Sequence, residues 1–387
     1  MIYIAKDIPL WQVTIWDKKF NNVDKKWQPK TIKYKYLLSD ELDSLRVDDG
    51  DVRILYTGKD VGFTTEELAG DRLSEGEIIS IPWGGIPTVK YHKGKFVTGD
   101  NRIATSKDIN KLTNKYLYYF MRGNIHEIAS YYRGASLKHP CMKDILKMTI
   151  SYPSVQEQDK ICGQFDVLEQ IIEVRKQELQ LLDDLIKARF VEMFNLSDCI
   201  YKSLGECTDF VDYRGHTPEL SDEGIIRMVN AKSVGKGFFK YVDEFVTEET
   251  YDAWMHRGFG YPGDILFVTE GHTFGNTCLI PEDMTKFALG QRVITIKGKE
   301  EIKNAFLCSY MQTDMFWKDI NVYRTGGTAQ GIRSKDLVKV MVPIPPIEQQ
   351  IEFVRFVHKV DKSKVAVQKA LDETQMLFDS LMQKYFG

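Results

Sequence analysis

PSVQEQDKICGQFDVLEQIIEVRKQELQLLDDLIKARFVEMFN, residues 153–195, decides the fold. From Gln156 to Asn195 the apolar residues Ile161, Phe165, Leu168, Ile172, Leu179, Leu182, Ile186 and Met193 fall on a seven-residue cycle. Their spacing alternates between four and three, and Arg175 and Arg189 fill the two remaining slots. This spacing predicts a coiled-coil helix. Roughly 39 residues at ~1.5 Å each would extend roughly 58 Å, too far for one small domain to wrap, so a partner helix is required.

The chain supplies it. Adding 192 to each number, without a gap, brings Pro153 onto Pro345, Gln158 onto Gln350, Leu179 onto Leu371 and Phe194 onto Phe386. The seam returns as Phe353, Val357, Val360, Lys364, Val367, Leu371, Thr374, Phe378, Leu381 and Tyr385. Upstream, Tyr131 meets Tyr323, Gly134 meets Gly326, and Lys143-Asp144 meets Lys335-Asp336. A period this long is not a solenoid repeat. It predicts a duplicated unit, a globular domain followed by a long helix.

The 387 residues suffice for two or three ordinary cores, and 28% charged with 43% hydrophobic residues suits a soluble globular protein. The six cysteines contain no CxxC pair, which argues against a zinc ribbon or a disulfide framework and suggests reduced thiols. No apolar run reaches membrane-span length and the start is too soon charged for a signal peptide, so a cytoplasmic protein is expected. Net charge is −3 but uneven: +5 over 1–155, −4 over 156–195, −4 over 196–345 and 0 beyond. A strongly basic nucleic-acid binder is excluded. Any DNA contact would need local positive charge or a partner's.

From Ile8 to Tyr152 short strands with glycine punctuation predict an α+β domain around a curved sheet. The strands are Val52–Tyr56, Glu77–Trp83 and Thr88–Tyr91, the last turning at Lys93-Gly94-Lys95 into Phe96-Val97; a helix from Asn114 to Ser130 follows. Residues 201–345 repeat the order: Gly76-Glu77-Ile78-Ile79 returns as Gly263-Asp264-Ile265-Leu266, and Asn101-Arg102-Ile103 as Gln291-Arg292-Val293. The loops diverge between these anchors, and Asp212-Tyr213-Arg214-Gly215-His216-Thr217-Pro218 has no counterpart. Two readers of different ligands would look like this, as would drift in unused loops.

Catalytic motifs are missing. There is no GxxxxGK[ST] loop, no GxSxG elbow and no HExxH, and Pro345-Pro346-Ile347 lacks the flanking residues of an amino-methyltransferase site. Glu301-Ile302-Lys303, with Asp283 upstream, has the spacing of a nuclease's acid and lysine, a tripeptide common by chance.

The combination resembles the specificity subunits of type I restriction-modification enzymes over nearly the whole chain. There, each of two target-recognition domains precedes a segment near Pro-Pro-Leu-x-Glu-Gln and a long helix with a Leu/Phe-rich end. Here the segments are Pro153-Ser154-Val155-Gln156-Glu157-Gln158 and Pro345-Pro346-Ile347-Glu348-Gln349-Gln350, with Ser154 and Gln349 as departures, and the helices end in Phe190–Phe194 and Leu381–Gly387. The resemblance implies domains at 1–152 and 198–344 and helices at 153–197 and 345–387 pairing antiparallel, so that helix length would set the spacing between the DNA halves read. It also implies a non-catalytic chain that reads a split double-stranded DNA target, docks two methyltransferase subunits and, through them, restriction/translocase subunits. No cofactor would belong to this chain, S-adenosylmethionine, ATP and Mg being on its partners. A non-catalytic coiled-coil interaction scaffold, or the detached specificity part of a single-chain enzyme, is the rival reading.

Candidate DNA contacts follow from chemistry. Arg102 and Arg292 hold equivalent places, and equivalence favours a phosphate or structural role over base reading. The glycine loops Tyr132–His139 and Tyr323–Arg333 are better readers, since glycine permits close approach while Lys138, His139, Gln330 and Arg333 differ between copies. Arg133, Arg324, Arg214, Trp83 and His272 are further candidates, against the alternative of plain polar loops. The seam cations Arg175, Arg189 and Lys364 either lie along the coil with their charge in water or fix register by meeting acids such as Asp184 or Glu173.

Overall fold

The computed structural model describes residues 5–17, 30–58, 61–213, 218–325 and 330–387. It divides into two compact units, Met1–Arg175 with Ala370–Gly387, and Lys176–Lys369. In the first unit Ala5–Pro9 pairs antiparallel with Thr149–Tyr152, so the domain's first and last strands close it. Its main sheet has seven strands in the order Thr31–Ile32, Thr14–Asp17, Asn101–Ser106, Ser74–Pro82, Lys90–Thr98, Val52–Leu55, Val61–Thr64.

Two expectations change here. The turn placed at Lys93-Gly94-Lys95 is the middle of one strand, because Gly76 faces Gly94 in an unbroken register from Ser74↔Phe96 to Ser80↔Lys90. Gly94, at φ +124°, kinks the strand without reversing it. The reversal lies at 83–89. The helix expected to run to Ser130 breaks into Asn114–Gly123 and Ile125–Ser130. At the break, Asn124 Nδ2 donates to Phe120 O at 2.9 Å and to Phe386 O at 3.0 Å. A Cβ on Gly123 would stand 2.8 Å from Phe386 Cβ. Glycine and asparagine therefore end the helix to seat the last turn of the second long helix.

The long helices are Val155–Met193 and Ile347–Phe386. In the first unit the sheet face of Trp16, Ile79, Ile81 and Ala104 and the helix face of Tyr116, Leu117 and Tyr119 share one core with Ile161, Phe165, Leu168 and Ile172 from one long helix and Phe378 and Phe386 from the other. The Phe165 ring lies 4.8 Å from Tyr119 and 5.2 Å from Phe378. Each such buried side chain contributes roughly 1.5–3 kcal/mol. Leu371 and Leu381 pack half-buried against this core.

The second unit repeats the plan, closed by Ile200–Ser203 against Met341–Ile344. Its sheet is split in two. Thr208–Asp212, Val293–Gly298, Ile265–Val268 and Thr277–Leu279 form four strands, while Phe245–Val246, Ile226–Val229 and Phe287–Leu289 form three. The single strand Lys90–Thr98 thus has two short counterparts, Thr277–Leu279 and Phe287–Leu289, with Pro281 between them, where a ladder N–H is lost. Phe190, Phe194, Phe353 and Val357 complete the core against Phe306 and Tyr310.

Within this unit Lys364 Nζ meets Asp183 at 2.6 Å and Arg189 meets Glu352 at 3.1 Å, so rising numbers on one helix oppose falling numbers on the other. The pairing is antiparallel. Leu179, Leu182 and Ile186 are half-buried along it, and Val357 and Val360 are buried. Arg189 and Lys364 thus meet acids, but Asp184 is not among those acids: it pairs with Lys187 on its own helix.

The glutamine of each Pro-to-Gln segment is fully buried. Gln158 Oε1 accepts from Thr113 N at 2.9 Å while Nε2 donates to Lys111 O at 2.7 Å and Pro153 O at 2.9 Å. Gln350 does the same with Lys303 N at 2.8 Å, Glu301 O at 3.0 Å and Pro345 O at 2.8 Å. Each amide thus staples a domain helix to the start of a long helix. The nuclease-like Glu301-Ile302-Lys303 is the seat of this staple. Gln158→Ala or Gln350→Ala should each lower stability by about 1–3 kcal/mol in urea unfolding, because buried backbone groups lose their partners. An unchanged midpoint would refute the staple.

All six cysteines are free, and burial raises the Cys207 thiol to about 11 and those of Cys162 and Cys308 to about 12. No helix among the described residues is long and apolar enough to cross a membrane, and no group of three or more metal-ligating side chains occurs among them.

Candidate nucleic-acid interface

In the first domain the hairpin tip at 83–89 and the glycine loop at 134–138 lie side by side. Gly85 N donates to Lys138 O at 3.3 Å, and a Cβ on Gly84 would meet Leu137 and His139 at 3.3 Å. Tyr132 OH donates to Pro82 O at 2.7 Å, rooting the glycine loop on the central strand. Burial raises the Tyr132 phenol above its ordinary value, which keeps it a neutral donor. Gly134, at φ +144°, passes so close to Leu137 O that a Cβ would stand 2.3 Å away, so only glycine fits the loop.

The candidates separate into support and surface. Arg102 is a correction: it is fully buried, donating from Nη1 to Asp17 Oδ1 at 2.9 Å and from Nη2 to Asp100 Oδ1 at 2.6 Å. The Trp83 ring covers its guanidinium at 4.6 Å. Arg102 pins the first domain and reaches no phosphate. The half-buried His139 hydrogen-bonds Trp83 O through Nδ1 at 2.6 Å, so Trp83 and His139 form the floor under the tip. Lys138 is exposed, as is Arg133, which pairs with Asp144 at 2.7 Å. Ile86, 79% exposed at the tip, escaped the sequence reading, since one aliphatic residue in a loop carries no pattern.

The second domain builds the same pair of loops. Gly271 N donates to Gln330 O at 3.0 Å, and Glu270 bridges Gly331. Arg292, equivalent to Arg102 in sequence, is exposed and its Nε donates to Glu270 Oε1 at 3.1 Å. Arg324 Nη1 donates to Gln330 Oε1 at 3.1 Å, while His272 and Arg333 are exposed. Gln330, Arg324, Arg292 and His272 are thus assembled around one loop junction, with Arg333 following Gly331 and Ile332 along the chain. Arg214 lies outside the described residues. The junction itself was not visible in the sequence, because Gly85 and Gly271 stand 186 apart and not 192.

Exposed guanidinium, amide, carboxylate and ammonium groups on glycine-rich loops are the groups that grip base edges and phosphates. The model of the type I restriction modification DNA specificity domain matches residues 42–183 and again 210–374. The chain belongs to that family.

Among relatives of this family member, the EcoDI specificity subunit of Escherichia coli is 22% identical over 340 residues, 77% of this chain and 74% of that protein. The Escherichia coli EcoR124I/EcoR124II specificity subunit is 24% identical over 280 residues, covering 67% and 66%. The type I specificity subunit of M. genitalium has a solved structure that superposes with a TM-score of 0.62 at 18% identity, over 100% of this chain and 96% of that one. A chain from a structural study of complex assembly in a type I system gives 0.53 at 16%, over 99% and 97%. The specificity-subunit fold, with two target-recognition domains and paired long helices, is therefore shared.

Proposed function

We infer that this chain is the sequence-specific DNA-recognition subunit of a type I restriction-modification complex. The carrying observation is the loop junction built twice on one scaffold, Gly85 with Lys138 and Gly271 with Gln330, bearing different side chains each time. Same frame and different edges are what an asymmetric target in two halves requires. The chain is a non-catalytic reader that binds no cofactor of its own, works in the cytoplasm, and docks two methyltransferase subunits and, through them, restriction subunits. Exposed Val167, Ile171 and Val174, with Leu181 and Leu185 further along the first long helix, offer apolar side chains to docking helices.

Mapping adenine methylation in cells carrying this chain and its methyltransferase partner should reveal one motif with two dissimilar halves. A contiguous motif, or none, would overturn the reading. Because the second domain is net acidic, the chain alone should bind duplex DNA weakly, and the methyltransferase should raise both affinity and its salt dependence. Tight, specific binding by the chain alone would contradict this, whereas a mere scaffold would hold the methyltransferase and ignore DNA.

A further inference from the structure

Beside the reading loop of the second domain lies a segment with no counterpart in the first. Strand Ile226–Val229 connects to Phe245–Val246 through residues 230–244, whereas the corresponding strands Val52–Leu55 and Val61–Thr64 are joined by residues 56–60 alone. The longer connection folds into a tight turn. Gly235 N donates to Phe238 O at 2.9 Å, Val234 bridges Phe239, and Gly237 adopts φ +84°. Phe238 folds over Gly235, leaving no room for a Cβ there.

Three hydrogen bonds tie this turn to the loop that carries His272 and to the first residue of the strand that follows it. Gly237 N donates to Thr277 O at 2.8 Å, Asn276 Nδ2 to Val234 O at 3.0 Å, and Thr273 Oγ1 to Ala231 O at 3.5 Å. The turn is thus held in place by the segment 273–277, whose loop meets the glycine loop where Gly271 N donates to Gln330 O. It carries Lys232, Lys236 and Lys240, all exposed, and ends in two acids, Asp243, which faces Arg227 at 3.3 Å, and Glu244. Glu244 pairs with Lys232, and Lys240 Nζ lies 5.4 Å from the Phe238 ring. Lys236 makes no ion pair among the described residues. In a domain whose net charge is −4, this is a local concentration of positive charge.

We propose that Lys232, Lys236 and Lys240 form a clamp for the DNA phosphate backbone that fixes the second reading loop against its half of the target. The proposal rests on the DNA-recognition reading above. Lysine suits a phosphate as a mobile point charge and carries no base preference of its own. The clamp therefore adds affinity and orientation, leaving base choice to the neighbouring loop.

The test uses the complex with methyltransferase and two duplexes, one with the mapped target and one scrambled. In Lys236→Ala/Lys240→Ala the slope of log affinity against log salt should flatten by about 0.9 per lysine on both duplexes, with the methylated motif unchanged. The double arginine variant should restore the slope. Slopes equal to wild type would overturn the clamp, as would a changed motif, which would make these lysines base readers. Loss of the methyltransferase with an unaltered slope would overturn it too, marking a protein-docking surface. Absence of any two-part motif in the wild type would instead defeat the recognition reading.

Discussion

Arg102→Ala is expected to cost about 3–5 kcal/mol of stability, because it leaves the carboxylate of Asp17, itself fully buried, without its cation. Asp17 Oδ2 would still accept from the Ile103 N–H at 2.9 Å. The Trp83 ring would lose the guanidinium beneath it, and the reading tip of the first domain would loosen as the domain unfolds more readily. Urea unfolding measures the loss, and Arg102→Ala/Asp17→Asn should recover part of it, since the buried negative charge is gone. A phosphate-contacting arginine would behave otherwise. Its removal would leave the unfolding midpoint in place and flatten the salt slope of DNA binding by about 0.9. That outcome would overturn the assignment of Arg102 as a pin.

Exchange of residues 198–344 for the corresponding domain of a relative is expected to replace one half of the methylated sequence completely and leave the other untouched. Each domain closes with its own first and last strands and carries its own loop junction, so nothing in one junction depends on the side chains of the other. One condition comes from packing. Phe190 lies 5.5 Å from Phe306 and Phe194 lies 4.8 Å from it, so the guest must bring large side chains at the positions of Phe306 and Tyr310. A guest with alanine there would fold poorly, the loss for each truncated phenylalanine being about 3–5 kcal/mol. Genome-wide methylation mapping checks the exchange. Alteration of both halves would sink the idea of two independent readers.

The long helices and the duplication were legible because periodicity and a fixed offset are properties of sequence alone. Ile161, Phe165, Leu168 and Ile172 are buried where the seven-residue cycle puts them. What escaped depends on residues distant in the chain. The break at Asn124 follows from Phe386, and the structural role of Arg102 from Asp17, neither of them a neighbour in sequence. Gly94 looks like a turn and is a kink, since a glycine's surroundings and not its identity decide which. The recurrence of Arg102 at Arg292 suggested one shared role. The structure gives two, one arginine buried between carboxylates and the other exposed beside Glu270.

The first unit is discontinuous along the chain, since it needs residues 370–387 to complete a core begun by residues 1–175. On the ribosome this reverses the usual order of events, in which the N-terminal domain folds first. At about 5–20 residues per second, the gap between Arg175 and Ala370 takes roughly 10–40 s to translate. Throughout that interval the newly made Tyr116 and Phe165 wait without Phe378 and Phe386, the rings that stand beside them in the finished protein. The domain synthesised first is the last to be sealed, and a nonsense codon in the final heptads would damage the opposite end of the polypeptide.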